Sequence, residues 1–417
     1  LQPLIHMYAR CISPLAMSQH VFDESLYLRD VVSWTALIAA YVQHGHGQEA
    51  LIHLGRMQLE GVAPNVVTFV GILKACGMIG GATKGKELHA RIAKEIVLEK
   101  NNILGTALVD MYAKCGLLTK AQEVLKELPF RDVIPWNALI TGYAQQGQLH
   151  QALKCFQSMQ EEDLSPNVVT FICILKACAN TGAIEDGELI HNEILRMGLL
   201  EKEIMLGNAL VDMYAKCGFL AKAEKVLEQL HSRDVVSWNA LISGHAQQGQ
   251  CYEALDCFKR MRSDDGLCPD AVTFICILKA CGNAGAIDKG KQIHEEIFNK
   301  GLLGKNIVLS NTLVDMYAKC GELELAQQVL EGLPIRDVVS WNALIAGYAE
   351  KGHGYEALNC FRKIQSDNLA PDEITFLCVL SACSHSGLLE EAQVLFRDMT
   401  KTYGIIPNLE HHTCMVV

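Results

Sequence analysis

The chain has 417 residues, half of them hydrophobic and a fifth charged, a balance that excludes intrinsic disorder. Its net charge of −11 argues against a general nucleic-acid binder, because neutralising phosphates needs cations. No apolar run approaches the ~18 residues of a membrane helix, and the richest, such as Val67–Leu73, are short and contain polar residues. Leu1 stands in mid-pattern, which leaves room for a targeting peptide ahead of it.

Self-similarity sets the architecture. Four segments open at Val31, Val133, Val235 and Val338, spaced 102, 102 and 103 residues apart, and the only four tryptophans (Trp34, Trp136, Trp238 and Trp341) hold the same place in each. The phrase DMYAKCG starts at Asp110, Asp212 and Asp315 on the same period. Each large unit divides into a standard, a long and a short piece. In chain order these are Val31–Asn65, Val66–Asn101 and Asn102–Asp132, then Val133–Asn167, Val168–Glu203 and Ile204–Asp234. Val235–Asp270, Ala271–Asn306 and Ile307–Asp337 follow, and then Val338–Asp372 and Glu373–Asn408. Residues 1–30 read as a partial short piece, with Tyr8-Ala9-Arg10-Cys11 matching YAKC, and 409–417 as the start of another. Residues 31–408 thus hold eleven complete pieces.

Each piece reads as two helices. In Val235–Asp270, Trp238, Leu241, Ile242 and His245 fall at i, i+3, i+4 and i+7, one helical stripe. Gln248-Gly249-Gln250 breaks that helix, Ala254, Phe258 and Met261 stripe a second, and Pro269 ends the piece. The third residue is the expected N-cap: Ser33, Ser237 and Ser340, with Thr68, Thr170, Thr273 and Thr375, and Pro135 there once. Such a hairpin cannot bury its apolar faces alone, and stacking on neighbours solves that. With no linker interrupting the array, the predicted fold is all-α: one right-handed α-solenoid of helix-turn-helix repeats.

Fourteen of the seventeen cysteines recur at four template positions. They are Cys76, Cys178, Cys281 and Cys383 in KAC or SAC; Cys11, Cys115, Cys217 and Cys320 in KCG; Cys155, Cys257 and Cys360 in CF; and Cys173, Cys276 and Cys378 in FIC or FLC. A cysteine that recurs with the repeat acts as a small hydrophobe. Cys173 and Cys178 would point about 140° apart on one helix. Buried reduced thiols, and no metal site, are expected.

Two families have helix pairs of this length. Tetratricopeptide repeats keep a uniform ~34-residue period and bind peptides; pentatricopeptide repeats run near 35 and bind single-stranded RNA. The pattern VVSWNALIxGYAxxGxxxEALxCFxxM, closing on Pro-Asp or Pro-Asn, resembles the second template across practically the whole chain. The standard, long and short cycle is similar to the subclass built from P, L and S motifs, the plant organellar RNA-editing type.

The resemblance implies that first helices line an RNA groove and that residue five and the last residue of a piece select one base. The pairs are Thr35 with Asn65, Thr106 with Asp132, Asn137 with Asn167, and Asn208 with Asp234. Asn239 with Asp270, Asn311 with Asp337, and Asn342 with Asp372 complete them. The alternative is that the terminal Asn and Asp are caps and turn residues. Hydrogen-bond chemistry supports base selection. Uracil and guanine present a ring N–H and need an acceptor, which ionised Asp is; cytosine and adenine present a bare ring nitrogen and need a donor, which an Asn amide has. A short Thr leaves room for a purine, and Asn reaches a pyrimidine. Thr/Asn then reads A, Thr/Asp G, Asn/Asn C and Asn/Asp U, giving A-n-G-C-n-U-U-n-U-U with n opposite each long piece. The long pieces have Val70, Ile172, Ile275 and Leu377 at residue five, which cannot bond a base edge.

Residue two is apolar in all eleven pieces: Val32, Val67, Ile103, Ile134, Val169, Met205, Val236, Val272, Val308, Val339 and Ile374. These residues either pack the core or, as the resemblance implies, wedge between successive bases. Lys114, Lys216 and Lys319, at residue thirteen of the short pieces, are expected to meet phosphates, and the acidic excess to lie on the second helices.

SACSHSGLLEEAQVLFRDM, followed by YGIIPNLEHHTCMVV, resembles the last motifs before C-terminal extensions that lead to or recruit a zinc cytidine deaminase. A deaminase needs His-x-Glu with Pro-Cys-x-x-Cys. His191-Asn192-Glu193 and His294-Glu295-Glu296 match the first half, but His89, His191 and His294 recur at repeat spacing, and Cys-x-x-Cys is absent. The chain is therefore expected to bind without catalysing, with no cofactor and no small-molecule substrate. The leading expectation is the RNA-recognition part of a mitochondrial or chloroplast C-to-U editing factor, with a deaminase domain or editing cofactor protein supplied in trans. A transcript-stabilising or processing factor and, more remotely, a tetratricopeptide-like protein scaffold are the alternatives.

Overall fold

A computed structural model describes residues 19–20, 22–23, 29–95 and 102–416. Tyr8-Ala9-Arg10-Cys11, most of the partial piece at 1–30, and Asn101, the expected end of the first long piece, lie outside the described residues.

Every regular element among them is a helix, and the helices come in pairs. In chain order the pairs are α1 (Val31–Gln43) with α2 (Gly47–Leu59), α3 (Val66–Met78) with α4 (Ala82–Glu95), and α5 (Asn102–Lys114) with α6 (Leu118–Glu127). Then come α7 (Val133–Gln145) with α8 (Leu149–Glu161), α9 (Val168–Thr181) with α10 (Ile184–Arg196), and α11 (Ile204–Lys216) with α12 (Leu220–Gln229). They are followed by α13 (Val235–Gln247) with α14 (Cys251–Ser263), α15 (Ala271–Ala284) with α16 (Ile287–Asn299), and α17 (Ile307–Lys319) with α18 (Leu323–Gly332). The series closes with α19 (Val338–Glu350) and α20 (Gly354–Ser366), α21 (Glu373–His385) and α22 (Leu389–Lys401), and the short α23 (Leu409–Cys414).

The chain forms two compact units, Leu1–Leu206 and Gly207–Val417. In the first, α1, α3, α5, α7 and α9 lie side by side in sequence order. In the second, α13, α15, α17, α19, α21 and α23 do the same. Within each unit a second helix packs on its own partner and on the next first helix, the layering of an all-α solenoid.

The N-caps differ from the sequence expectation. Ser33, Thr68, Thr170, Ser237, Thr273, Ser340 and Thr375 are not the caps but the third residues inside their helices. The cap is the last residue of the preceding piece. Asp30, Asn65, Asn167, Asp234, Asp270, Asp337 and Asp372 take extended backbone angles, and their side chains accept from the third residue's N–H. The Ser or Thr hydroxyl closes the box by accepting from the cap residue's own N–H. Pro135 has no N–H, so Asp132 accepts from Ile134 instead, at 2.9 Å. The short piece beginning at Ile307 has Leu309 in third place, and Asn306 caps its N–H at 3.1 Å.

Residue four anchors the core. Trp34, Trp238 and Trp341 of the standard hairpins and Phe69, Phe171, Phe274 and Phe376 of the long ones are at most 2% exposed. In two short hairpins that place is Gly105 or Gly207, and the side chain that follows the second helix, Leu128 or Leu230, fills the space instead. Residue ten of three standard hairpins, Gly142, Gly244 or Gly347, lets its helix sit on an alanine of the preceding short hairpin. A Cβ on Gly347 would lie 2.8 Å from Leu323 Cδ2 and 2.9 Å from Ala318 Cβ. Gly55, in mid-α2, is exposed and has open space where a Cβ would go.

These two glycines predict opposite effects of one substitution. Gly347→Ala should destabilise by about 1–3 kcal/mol through overpacking, and Gly55→Ala should stabilise by about 0.5–1 kcal/mol through lower unfolded-chain entropy and better helix propensity. Urea titrations of the two variants check both signs; a neutral Gly347→Ala would mean that α17 and α19 have room to part.

Candidate nucleic-acid interface

Residue two has left the core. All eleven of these apolar side chains, from Val32 to Ile374, are 39–66% exposed. Core packing is therefore excluded for them. On a helix, residues nine and thirteen each fall within about 20° of residue two, so each first helix presents one solvent stripe that starts with an apolar side chain.

Residue five sits at the edge of that stripe, pointing at the cap of the next helix. Asn239 Nδ2 donates to Asp270 at 3.1 Å, Asn342 to Asp372 at 3.0 Å, Asn208 to Asp234 at 3.1 Å and Asn311 to Asp337 at 3.0 Å. Asn137 donates to Asn167 at 3.1 Å. Five of the seven expected pairs are thus joined directly. Thr35 reaches Asn65 through Thr68, with 2.7 Å between the two Thr hydroxyls and 3.0 Å onward to Asn65 Oδ1. Thr106 and Asp132 are both described, but no hydrogen bond joins them.

The cap decides which atom of the terminal residue stays free. Asp270 Oδ1 accepts from Thr273 N at 2.8 Å, from the Thr273 hydroxyl at 2.9 Å and from Asn239, and Asp372 Oδ1 does the same with Thr375 and Asn342. In both, Oδ2 has no protein partner among the described residues and can only accept. In Asn65 and Asn167 the cap occupies Oδ1, at 2.9 and 3.1 Å from the Thr N–H, because only oxygen can accept there. Their Nδ2 is left free and can only donate. Burial works against ionisation of Asp270 and Asp372, but the hydrogen bonds from Thr273 or Thr375 and from Asn239 or Asn342 outweigh it and hold both carboxyls below their ordinary pKa. They are anions at neutral pH.

In the four Asn/Asp pairs the amide oxygens of Asn208, Asn239, Asn311 and Asn342 are buried and meet no donor. Each such orphan costs about 1–3 kcal/mol. Asn137 escapes, because the Thr170 hydroxyl donates to its Oδ1 at 2.6 Å.

The expected phosphate lysines are tied down. Lys114, Lys216 and Lys319 each bind the aspartate one turn back, Asp110, Asp212 or Asp315, at 2.7, 2.9 and 2.8 Å. The first-helix face carries no net positive charge: the first helices from α1 to α21 hold six lysines against five carboxylates, and the capping Asp30, Asp132, Asp234, Asp270, Asp337 and Asp372 add six more carboxylates.

One contributor escapes sequence reasoning. An arginine immediately before the capping aspartate pairs with a carboxylate at the far end of the next hairpin: Arg29 with Glu60, Arg131 with Glu162, Arg233 with Asp265 and Arg336 with Asp367, at 2.6–3.1 Å. In the last three the same carboxylate accepts from the buried Trp Nε1. The Arg-Asp dipeptide before each Trp segment was the available signal. His89 and His294 bond the hydroxyls of Tyr112 and Tyr317 on the next hairpin at 2.9 and 2.8 Å, a packing use that burial favours by lowering their pKa. Eight of the template cysteines are buried and the other described ones half-buried, all as free thiols; burial pushes Cys155, Cys257 and Cys360 up to about 12.

Family models match in register with these hairpins. A PPR repeat family model covers residues 29–78, 131–180, 233–283 and 336–385, and a PPR repeat model covers 106–133, 208–235, 308–336 and 374–401. A putative pentatricopeptide repeat-containing protein of Arabidopsis thaliana is 36% identical over 419 residues, covering 99% of this chain, which spans 60% of that relative's length. A second from the same plant is 35% identical over 386 residues, and the chain spans 68% of it. A third, 37% identical over 413 residues, is named as chloroplastic, and the chain spans 50% of it. Among solved structures, the pentatricopeptide repeat protein PPR10 in complex with an 18-nt psaJ RNA element superposes with a TM-score of 0.69 at 20% identity, covering 97% of this chain and 60% of that one. That likeness is one of fold.

The double duty of the terminal residue makes a stability prediction. Asp270→Ala should cost about 1–2 kcal/mol by removing a cap, and Asp270→Asn only a small fraction of that, since Asn caps equally well. Urea denaturation distinguishes them; equal losses would mean that charge rather than capping geometry holds the junction.

Proposed function

The chain belongs to the pentatricopeptide repeat family, and on that premise we propose that it binds single-stranded RNA in a sequence-specific way, one base to each standard or short hairpin. The observation that carries this reading is the free atom on the terminal residue: an acceptor in Asp270 and Asp372, a donor in Asn65 and Asn167, whereas in Asp234 and Asp337 the residue-five amide also bonds Oδ2. That is the chemistry needed to tell a ring N–H from a bare ring nitrogen. Residue five, bonded to it directly where it is Asn, sets the space for purine or pyrimidine. The exposed residue-two side chains supply apolar surfaces that separate successive bases. Base contacts then carry most of the affinity, because the face has no net positive charge.

The ten hairpins from Val31 to Asp372, read in chain order from the RNA 5′ end, give A-n-G-C-n-U-U-n-U-U. The standard, long and short cycle supports placement in the P-L-S subclass, and with it a role as the recognition part of an organellar C-to-U editing factor. Relatives named as mitochondrial and chloroplastic support the organellar setting. No catalytic step is assigned to the hairpins; a deaminase domain or partner would supply it.

Recoding one site tests the reading. Asn239→Thr with Asp270→Asn keeps the cap, shortens residue five and replaces a free acceptor with a free donor. The seventh base should move from U towards A by about 1–3 kcal/mol, the scale of one base contact. Selection of bound RNA from a random pool by both proteins measures it. An unchanged U preference, or equal loss for all four bases, would reduce these residues to caps.

A further inference from the structure

The long hairpins carry no base-selecting residue five, yet three of them place a lysine where RNA would pass. Lys74, Lys176 and Lys279 stand at residue nine of α3, α9 and α15, and all three are exposed. The seven-residue step from residue two brings each within about 20° of Val67, Val169 and Val272 on the helix surface, so lysine and exposed aliphatic share one stripe. Among the described residues none of the three lysines has a hydrogen bond or an ion pair with a carboxylate. In the short hairpins Lys114, Lys216 and Lys319 lie on the same stripe, but each is neutralised by its own aspartate. The three lone lysines are therefore the uncompensated cations of the first-helix stripes.

We propose that the long hairpins hold the phosphodiester backbone of single-stranded RNA through Lys74, Lys176 and Lys279, and contribute affinity without base choice. This rests on the RNA-binding reading above. The need is physical. Every selector Asp brings an anion to the RNA, and a lysine in the hairpin that reads nothing offsets it without competing for a base edge. The fourth long hairpin supplies an internal contrast, because residue nine of α21 is Ser381, a half-buried neutral residue.

The test measures the salt dependence of binding to a fixed single-stranded RNA of the sequence selected by the parent chain. Lys74→Gln, Lys176→Gln and Lys279→Gln together should weaken all RNAs alike and reduce the slope of log affinity against log salt by about two units, at roughly 0.7 per phosphate contact. The same three positions as Arg should keep the parent slope. Deleting the neutral pairs instead, with Asp110→Asn, Asp212→Asn and Asp315→Asn alongside Lys114→Gln, Lys216→Gln and Lys319→Gln, should change it far less. Ser381→Lys should gain about one contact, steepening the slope by roughly 0.7. An unchanged slope in the triple Gln variant, or a shift in base preference, overturns the assignment while leaving RNA binding in place. A parent chain that selects no RNA overturns the RNA reading itself and this proposal with it.

Discussion

The structure depends on one constraint: the first N–H groups of each first helix need an acceptor, and in most hairpins the residue that ends the previous one supplies it. Asp270 shows how much follows. By accepting from Thr273 N, it starts α15; by accepting from Asn239, it ties that start to the first turn of α13. The junction between hairpins is thus fixed by three hydrogen bonds on a single oxygen. A carboxylate held this way has one orientation, and its second oxygen has one place to be. On the reading proposed above, capping and base selection are not rival uses of the residue: the cap orients the atom offered to a base.

That duality explains what could be read from the sequence and what could not. The period, the helix pairs and the residue-four anchors follow from spacing and apolar pattern, because Trp and Phe at a fixed place in every hairpin have few alternatives to burial. The cap was assigned three residues late. Ser and Thr at residue three look like caps on composition, and only backbone geometry shows the extended residue to be Asp or Asn. Residue two was ambiguous for a different reason. Val and Ile on a helix predict burial, and their exposure becomes visible only when the neighbouring first helices have closed over residues three, four and seven and left residue two outside.

Electrostatics reads differently once the fold is known. A net charge of −11 argues against a general nucleic-acid binder, and the sequence expectation places the acidic excess on the second helices. The first helices themselves balance lysine against carboxylate almost evenly, their capping aspartates make the face acidic, and Arg131, Arg233 and Arg336 are consumed in pairing with Glu162, Asp265 and Asp367, the carboxylates that accept from the buried Trp Nε1 groups. A surface like this gains little from non-specific counterion release. On the proposed RNA reading, affinity comes from stacking against aliphatic side chains and from hydrogen bonds at base edges, both of which depend on sequence or on unpaired strands. Weak general attraction is then an advantage for discrimination, since the non-specific competitor is weakened more than the matched site.

The alternation of hairpin types follows from the same economy of atoms. Where residue five is Asn, its amide must face the cap; four such oxygens are left buried without a donor, at a cost of about 1–3 kcal/mol each. A hairpin with Val70, Ile172, Ile275 or Leu377 at that place avoids the cost by packing a half-buried aliphatic there. Standard and short hairpins with Asn at residue five accept local destabilisation and keep a polar pair at the junction, and the long hairpins between them hold tight apolar contacts. Phe171 and Phe274, fully buried at residue four of α9 and α15, meet the Phe of the hairpin before them, Phe156 and Phe258, at ring-centroid distances of 6.0 and 6.2 Å. Both of these standard hairpins are thereby backed by the long hairpin that follows, through an aromatic contact independent of the polar pair.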